Sequence, residues 1–459
     1  MSVTAELCLK MAATGTGDIG AEAFSAARRL VLDGLAVAMI GAQEPALGIL
    51  VEHYRNQGSE AQATVLGRGL RLASVPAATI NGAAMHVLDF EPMWSPANHA
   101  LSTTLPAVLA LAEVLGASGA DALTALIKGI EIQGWLRQAS GQWEAETMVF
   151  HPPGVVGPIG AAVAAGHLLG LGPEPLRHAV GIAASRSAAL LANVGTMTKS
   201  LHCGNAAGAG LEAALLAARG FTANPDIFDV PKGMVDAFAP ELVAEELLGF
   251  GPPFRVVEPG YAVKLFPCQY GTHFGITAAL AARRRVADPE LIRAVRFVAP
   301  VMAYVDRPQP STGLAGKFSL QYTVAAALLD GAVGRFTFSD ERLGRADMQR
   351  MLAKIELTMS SEIPGRFEAM HVILDVDLVD GTTVHERGNG PPGIWGSPPV
   401  SETEHLAKVE DCLAGLLAPP DIAALIDLTN RFDRLSAQEL GKLLTLAGTG
   451  HGTVALSGA

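Results

Sequence analysis

Apolar residues recur at three- and four-residue spacing over 22–40 and stop at Gly41, which predicts a long buried helix. The same pattern predicts helices over 107–115, 120–136, 159–171, 176–194 and 203–219, the last ended by Gly220. Within 203–219, Gly204, Ala207, Gly208 and Leu211 fall on one face, which lets a neighbouring helix approach closely. Residues 1 to about 250 therefore read as helix after helix. A span without Asp, Glu, Lys or Arg runs from Thr147 to Pro173. Its prolines at 152, 153 and 158 break it, and its continuous part, 159–171, is too short to cross a bilayer.

The period changes near Glu258. β-Branched runs over 295–298, 355–359 and 372–379 predict strands, and Asp380-Gly381 predicts a hairpin turn into 382–385. Helical patterns intervene at 277–285 and 322–329. The Pro/Gly-rich stretch 388–399 reads as a linker, and Ser401 with Glu404 has capping-box spacing for a new helix. The expected fold is mainly α: a large all-helical domain from 1–255 and 395–459, with a smaller α+β domain, 256–394, inserted into it.

Composition narrows the function. The 459 residues are 49% hydrophobic and 17% charged, the profile of a folded globular protein. A net charge of −12 disfavours nucleic-acid partners, which call for a basic face. The four cysteines, Cys8, Cys203, Cys268 and Cys412, form no CxxC pair, and no HExxH-type spacing marks a metal site. With no basic, apolar leader at the N-terminus, a cytoplasmic protein without membrane partners is expected.

Five segments carry candidate chemistry. Asp89 and Glu91 stand at a helix end, and His99 follows two prolines. His151 precedes a helix start, where backbone N–H groups favour an anion. Lys199 lies in a long uncharged stretch, costly to bury without an anion or a function. A phosphate-loop reading of Lys199-Ser200 fails, because Asn193 and Thr198 stand where glycines are needed. Lys264 is isolated among apolar neighbours, and Ser319 and Tyr322 open a helix. Two lysines, several histidines and a phenol gathered in one pocket suit a di- or tricarboxylate, since fixed cations stabilise charge built up beside a carboxylate.

The motifs NGAAMHVLDF, GTMTKSLHCGNAA, KLFPCQYGTH and GKFSLQYTVAAALLDG together resemble the MmgE/PrpD family. Its members include 2-methylcitrate dehydratase, cis-aconitate decarboxylase and iminodisuccinate epimerase. The resemblance implies that the large all-helical domain carries the inserted α+β domain as a lid domain, in a cofactor-independent, homodimeric lyase acting on a small anionic carboxylate, foremost by elimination of water. Epimerisation, decarboxylation and a non-catalytic carboxylate-binding role stay open. Matched residue by residue, it places catalytic roles on Asp89, His99, His151, Lys199, Lys264 and Tyr322, and substrate binding on His202, Cys268, His273 and Ser319. The chain departs from the family pattern in having Phe90 directly after Asp89, Ala100 after His99 and Ser200 after Lys199.

Overall fold

Small residues set the spacing of the helical half. A computed structural model describes residues 1–143 and 148–450. Thr147, where the uncharged span begins, and residues 451–459 of the expected helical domain lie outside that description. The longer helices in the first half are α1 (Val3–Ala13), α2 (Ala21–Gly41), α3 (Pro45–Gln57), α4 (Ser74–Val87) and α5 (Ala100–Leu115). They are followed by α6 (Gly119–Ala139), α7 (Pro152–Leu168), α8 (Pro173–Ala184) and α9 (Thr198–Ala217). A short antiparallel ribbon, β1 (Ala63–Val65) with β2 (Leu70–Leu72), interrupts this helical series.

Helix α9 lies against α4 through Gly204 and Gly208 of the face that the sequence indicates, and against α7 through Gly210. A Cβ on Gly204 would come within 2.3 Å of the Thr79 carbonyl oxygen of α4. On the other side of the crossing, a Cβ on Gly82 would lie 3.0 Å from Gly204 Cα. Backbone thus meets backbone, and both positions must be glycine.

Three helices differ from the pattern-based expectation, the first being α5, which starts at Ala100 rather than 107 and carries Pro106 inside it. Helix α7 starts at Pro152 rather than 159, because prolines in the first turn forgo only N–H groups that have no helical partner. Pro158, inside the helix, cannot donate to the Gly154 carbonyl, and the Ala188 N–H does so instead at 3.1 Å. Helix α8 ends at Ala184 and does not run on to 194. Its continuation pairs with the segment before α7: His151 N donates to Ala189 O at 2.9 Å and Leu191 N to Val149 O at 3.0 Å. Tertiary pairing overrides helical periodicity there.

The second half holds α10 (Thr272–Arg283), α11 (Leu320–Asp330) and a four-stranded sheet of β3 (Ile292–Pro300), β4 (Ile355–Ser360), β5 (Val372–Leu378) and β6 (Thr383–Gly388). Strand order is β4-β3-β5-β6, with β3 and β4 parallel and the other pairs antiparallel. Val372, Leu374 and Val376 of β5 are fully buried on one face, as their alternation requires. Helices α10 and α11 pack together, and α10 lies on β5 and β6.

The Pro/Gly-rich stretch 388–399 is no free linker. Ile394 is buried in the second core, and Trp395 stacks on Phe367 at 6.3 Å. Glycines and prolines here serve tight turns, while the two large side chains anchor the segment. Ser401 and Glu404 form the expected capping box at the start of α12 (Glu402–Leu413), which packs on α2. Helices α13 (Pro419–Asn430) and α14 (Ala437–Ala447) follow.

The chain is mainly helical, with two hydrophobic cores. The first joins residues from 7–256 to residues from 409–447, and the second gathers residues from 262–394 with Met93 and Val194. Among the described residues, no single helix is long and apolar enough to cross a membrane.

Candidate active site between the two cores

Helix α4 ends at Val87 with Leu88 as its cap, and Asp89 turns the chain with φ of 52°. That left-handed conformation is tolerated by Asp better than by most L-residues. The turn aims the Asp89 carboxylate back toward α9. Lys199, in the first turn of α9, donates to Asp89 Oδ2 at 2.7 Å and to His86 Nε2 at 2.8 Å. Lys264 holds the other oxygen, Asp89 Oδ1, and also donates to the Asp89 carbonyl at 3.0 Å. Its segment is docked by reciprocal 2.9 Å bonds between the Met93 and Ala262 backbones. Burial alone would raise the Asp89 carboxyl, but the two ammonium groups hold it well below the usual carboxylate range.

A second buried acid lies behind the first. Glu91 Oε1 accepts from His86 Nδ1 and from Ser102 Oγ at 3.0 Å, and His99 Nδ1 lies 3.1 Å away. Against the effect of burial, the two histidines keep Glu91 well below its ordinary pKa. Burial, together with Lys199, pushes His86 down to about 3. Burial likewise lowers His99, and it lowers His151 well below its usual value.

The Ala189 bond that displaces α8 also fixes His151 at the start of α7. His151 Nδ1 lies 3.2 Å from His202 Nδ1, one turn along α9 from Lys199. His202 is pushed down to about 4, first by burial and then by Lys199. The rings of His86 and His151 are 5.5 Å apart, and those of His99 and His151 5.9 Å. Neutral imidazoles of this kind can accept or give up a proton according to the charge placed beside them.

Four of these groups line a cleft of about 940 Å³, mouth included, whose apolar lining comes from the second core. Asp89, His99, His151 and Lys199 form its polar wall, while Met93, Val194, Met302 and Phe318 supply much of the apolar remainder. At the mouth, the Arg366 guanidinium lies over the Trp143 ring at 4.5 Å. A second cavity of about 1,080 Å³ shares Asp89, Lys199 and Phe318 with the cleft. His86, His99 and His151, or Asp89, Glu91 and His99, bring donor atoms within 4.8 Å of one another. Lys199 already occupies His86 Nε2, and the two ammonium groups occupy the Asp89 oxygens.

The structure thus brings Asp89, His99, His151, Lys199 and Lys264 together, with Lys264 wholly buried behind Asp89 and away from the cleft wall. His202 supports His151. The other expected residues point elsewhere. Tyr322 donates its phenol to the Thr337 carbonyl within the second core, because its ring packs against Phe338. Ser319 caps α11 and donates to Arg307 O at 2.6 Å. The Cys268 carbonyl accepts from Lys264 and faces His273 Nε2, both at 3.3 Å, while the Cys268 thiol meets Thr272.

Sequence reasoning missed His86, Lys317 and the central place of Glu91. His86 stands inside the motif that carries Asp89, three residues earlier, which is the helical spacing that puts both on one side of the α4 terminus. Lys317 is buried, and burial pushes it down to about 8.

The helical half and the α+β half thus meet at a cleft where an ammonium, two imidazoles and a carboxylate stand side by side, a set of groups able to hold and move protons. Residues 5–245 match the MmgE/PrpD N-terminal domain and residues 266–433 the MmgE/PrpD C-terminal domain, so the chain belongs to the MmgE/PrpD family. It is 33% identical over 421 residues to the cis-aconitate decarboxylase of Mus musculus, covering 89% of this chain and 86% of that protein. Identity to the Homo sapiens cis-aconitate decarboxylase is 30% over 447 residues, covering 95% of this chain and 92% of that protein. The Aspergillus terreus (strain NIH 2624 / FGSC A1156) cis-aconitate decarboxylase is 27% identical over 476 residues, at 93% and 96% coverage.

Proposed function

We propose that the protein is a cofactor-independent carboxy-lyase acting on an unsaturated tricarboxylate of the cis-aconitate type. The observation that carries this reading is the polar wall on which Lys199 and Asp89, the latter held from behind by Lys264, stand beside His99 and His151 in one cleft. A substrate carboxylate competes with Asp89 for the Lys199 ammonium, which makes Lys199 the anchor of the bound anion. The similarity to decarboxylases over most of the chain favours loss of CO2 over the elimination of water expected from the motifs.

The chemistry needs one proton and no redox partner. The bond between the departing carboxylate and its methylene carbon breaks, and the electron pair moves into the adjacent double bond. The double bond shifts to the methylene carbon, CO2 leaves, and the far carbon takes up a proton. Fixed cations stabilise the allylic carbanion where its charge reaches a neighbouring carboxylate. A bound polyanion raises the pKa of the imidazoles it faces, so His99 or His151 binds a proton with the substrate and gives it to carbon. In this reading the second unit serves as a lid, which is supported by Met302, Phe318 and Arg366 lining the same cleft as those imidazoles.

The test is incubation with cis-aconitate in deuterated water, following CO2 release and the product by proton NMR. CO2 with a single deuterium on the new methylene supports the reading. Water loss from a methylcitrate-like acid, with no CO2 from cis-aconitate, would restore the dehydratase reading.

A further inference from the structure

Three successive backbone carbonyls at the end of α4 each accept from a different buried lysine. Lys317 donates to Leu88 O at 3.1 Å, Lys264 to Asp89 O at 3.0 Å and Lys408 to Phe90 O at 2.8 Å. The three come from separate parts of the chain: the turn before α11, the segment docked on Met93, and α12 near the C-terminal end. All are buried, with relative exposures of 5%, 0% and 7%.

Burying an ammonium is costly, so each needs compensation. Lys264 has the Asp89 carboxylate. Lys408 has Asp33 of α2, at 2.8 and 3.1 Å, whose carboxylate also faces His405 Nε2 at 3.1 Å. The Phe90 ring covers the Lys408 ammonium at 4.2 Å. Among the described residues, Lys317 has no carboxylate within ion-pair distance; it has the Leu88 carbonyl and the Phe338 ring at 5.4 Å. Neither Lys317 nor Lys408 lines the cleft itself, and Lys317 borders the second cavity that shares Asp89 and Lys199 with it.

Carbonyls beyond a helix end have no helical donor and, when buried, must be satisfied by other groups. Here the donors are charged and fixed in space, so the peptide planes on both sides of Asp89 cannot rotate. That holds Asp89 in its left-handed conformation and sets where the Asp89 and Glu91 carboxylates point.

We propose that Lys317 and Lys408 are positioning residues for Asp89 and Glu91, completing with Lys264 a three-lysine clamp on one short turn. The proposal rests on reading the cleft as the decarboxylase site. Its test compares Lys408→Met, Lys408→Arg, Lys317→Met and the double variant Asp33→Asn with Lys408→Met. The double variant removes the Lys408 ammonium and the Asp33 charge together, so neither is left buried without the other while the donor to Phe90 is lost.

In the folded double variant, kcat on cis-aconitate should fall about 100-fold, as for a misplaced catalytic group. KM should move by less than about threefold. Lys408→Arg, which keeps a charged donor, should recover most of kcat. Amides over 88–94 should lose hydrogen-exchange protection in the double variant, a readout that needs no substrate. A folded double variant with unchanged kcat and unchanged exchange would overturn the proposal. Should changes at 408 prevent folding, Lys317→Met carries the same expectations from the other core, and normal kcat there would also overturn it. Wild-type protein that leaves cis-aconitate untouched refutes the decarboxylase reading alone, and the exchange measurement still decides the clamp.

Discussion

The Lys199 ammonium donates to Nε2 of His86 across 2.8 Å. An ammonium has no lone pair, so Nε2 is the acceptor and the ring proton sits on Nδ1, facing Glu91. One lysine thereby fixes the tautomer of a histidine and the orientation of an acid at once, while its remaining donors face Asp89 and the cleft.

Lys199→Met should reduce kcat/KM on cis-aconitate by about 10²–10³, the scale of losing one preorganised donor to a developing anion. It should also raise the His86 pKa from about 3, since Lys199 is one of the groups that lowers it. Steady-state kinetics and NMR titration of His86 check both. Near-normal turnover in this variant removes Lys199 from the mechanism.

Asp89→Asn should destabilise the fold by about 3–5 kcal/mol, because two buried ammonium groups lose their shared carboxylate. Asp89→Ala should cost a further 1–2 kcal/mol or so, since alanine resists the positive φ that Asn accepts. Urea denaturation of the three proteins should rank wild type, Asn, Ala. Equal stability of Asn and Ala would mean that the turn relaxes.

Much of this site is legible in the sequence, and the remainder is hidden for identifiable reasons. Lys199 and His151 stand out because an ionisable group in an uncharged stretch needs a partner. His86 does not, because one imidazole in an alanine-rich helix looks like core until Lys199 arrives from α9. Tyr322 occupies a motif position, yet the packing of its ring on Phe338 sends the phenol to Thr337. The β5–β6 hairpin follows directly from alternation and the Asp380-Gly381 turn. The end of α8 does not, because the pairing that stops it involves residues some forty positions earlier.

Stability should fall as the solution is acidified below about pH 6.5. Burial holds His86 and His273 near 3 in the folded protein, against 6.5 for the free side chain. Between those values the unfolded chain binds more protons, so stability is greatest above 6.5 and is lost as pH drops. Each such histidine contributes about 1.4 kcal/mol per pH unit in that window. Denaturation followed from about pH 7.5 down to 4.5 measures the slope, and a flat profile would show these histidines to be charged when folded.

Gly204→Ala should destabilise by about 1–3 kcal/mol, the usual cost of overpacking. The added methyl would meet the Thr79 carbonyl at 2.3 Å, and backbone cannot swing away as a side chain can. Turnover should fall with it, because the same shift moves Lys199 from His86. Loss of stability at full kcat would separate the two effects.

The crossing of Gly82 and Gly204 bears on how such a protein drifts over generations. The interval from imidazole to ammonium is ruled by atoms that are missing, so bulky aliphatic neighbours can be traded for one another without altering it. Tolerance to replacement then runs opposite to size. The leucines and valines are negotiable, while two positions that contribute nothing to the reaction keep the measure by which it is made.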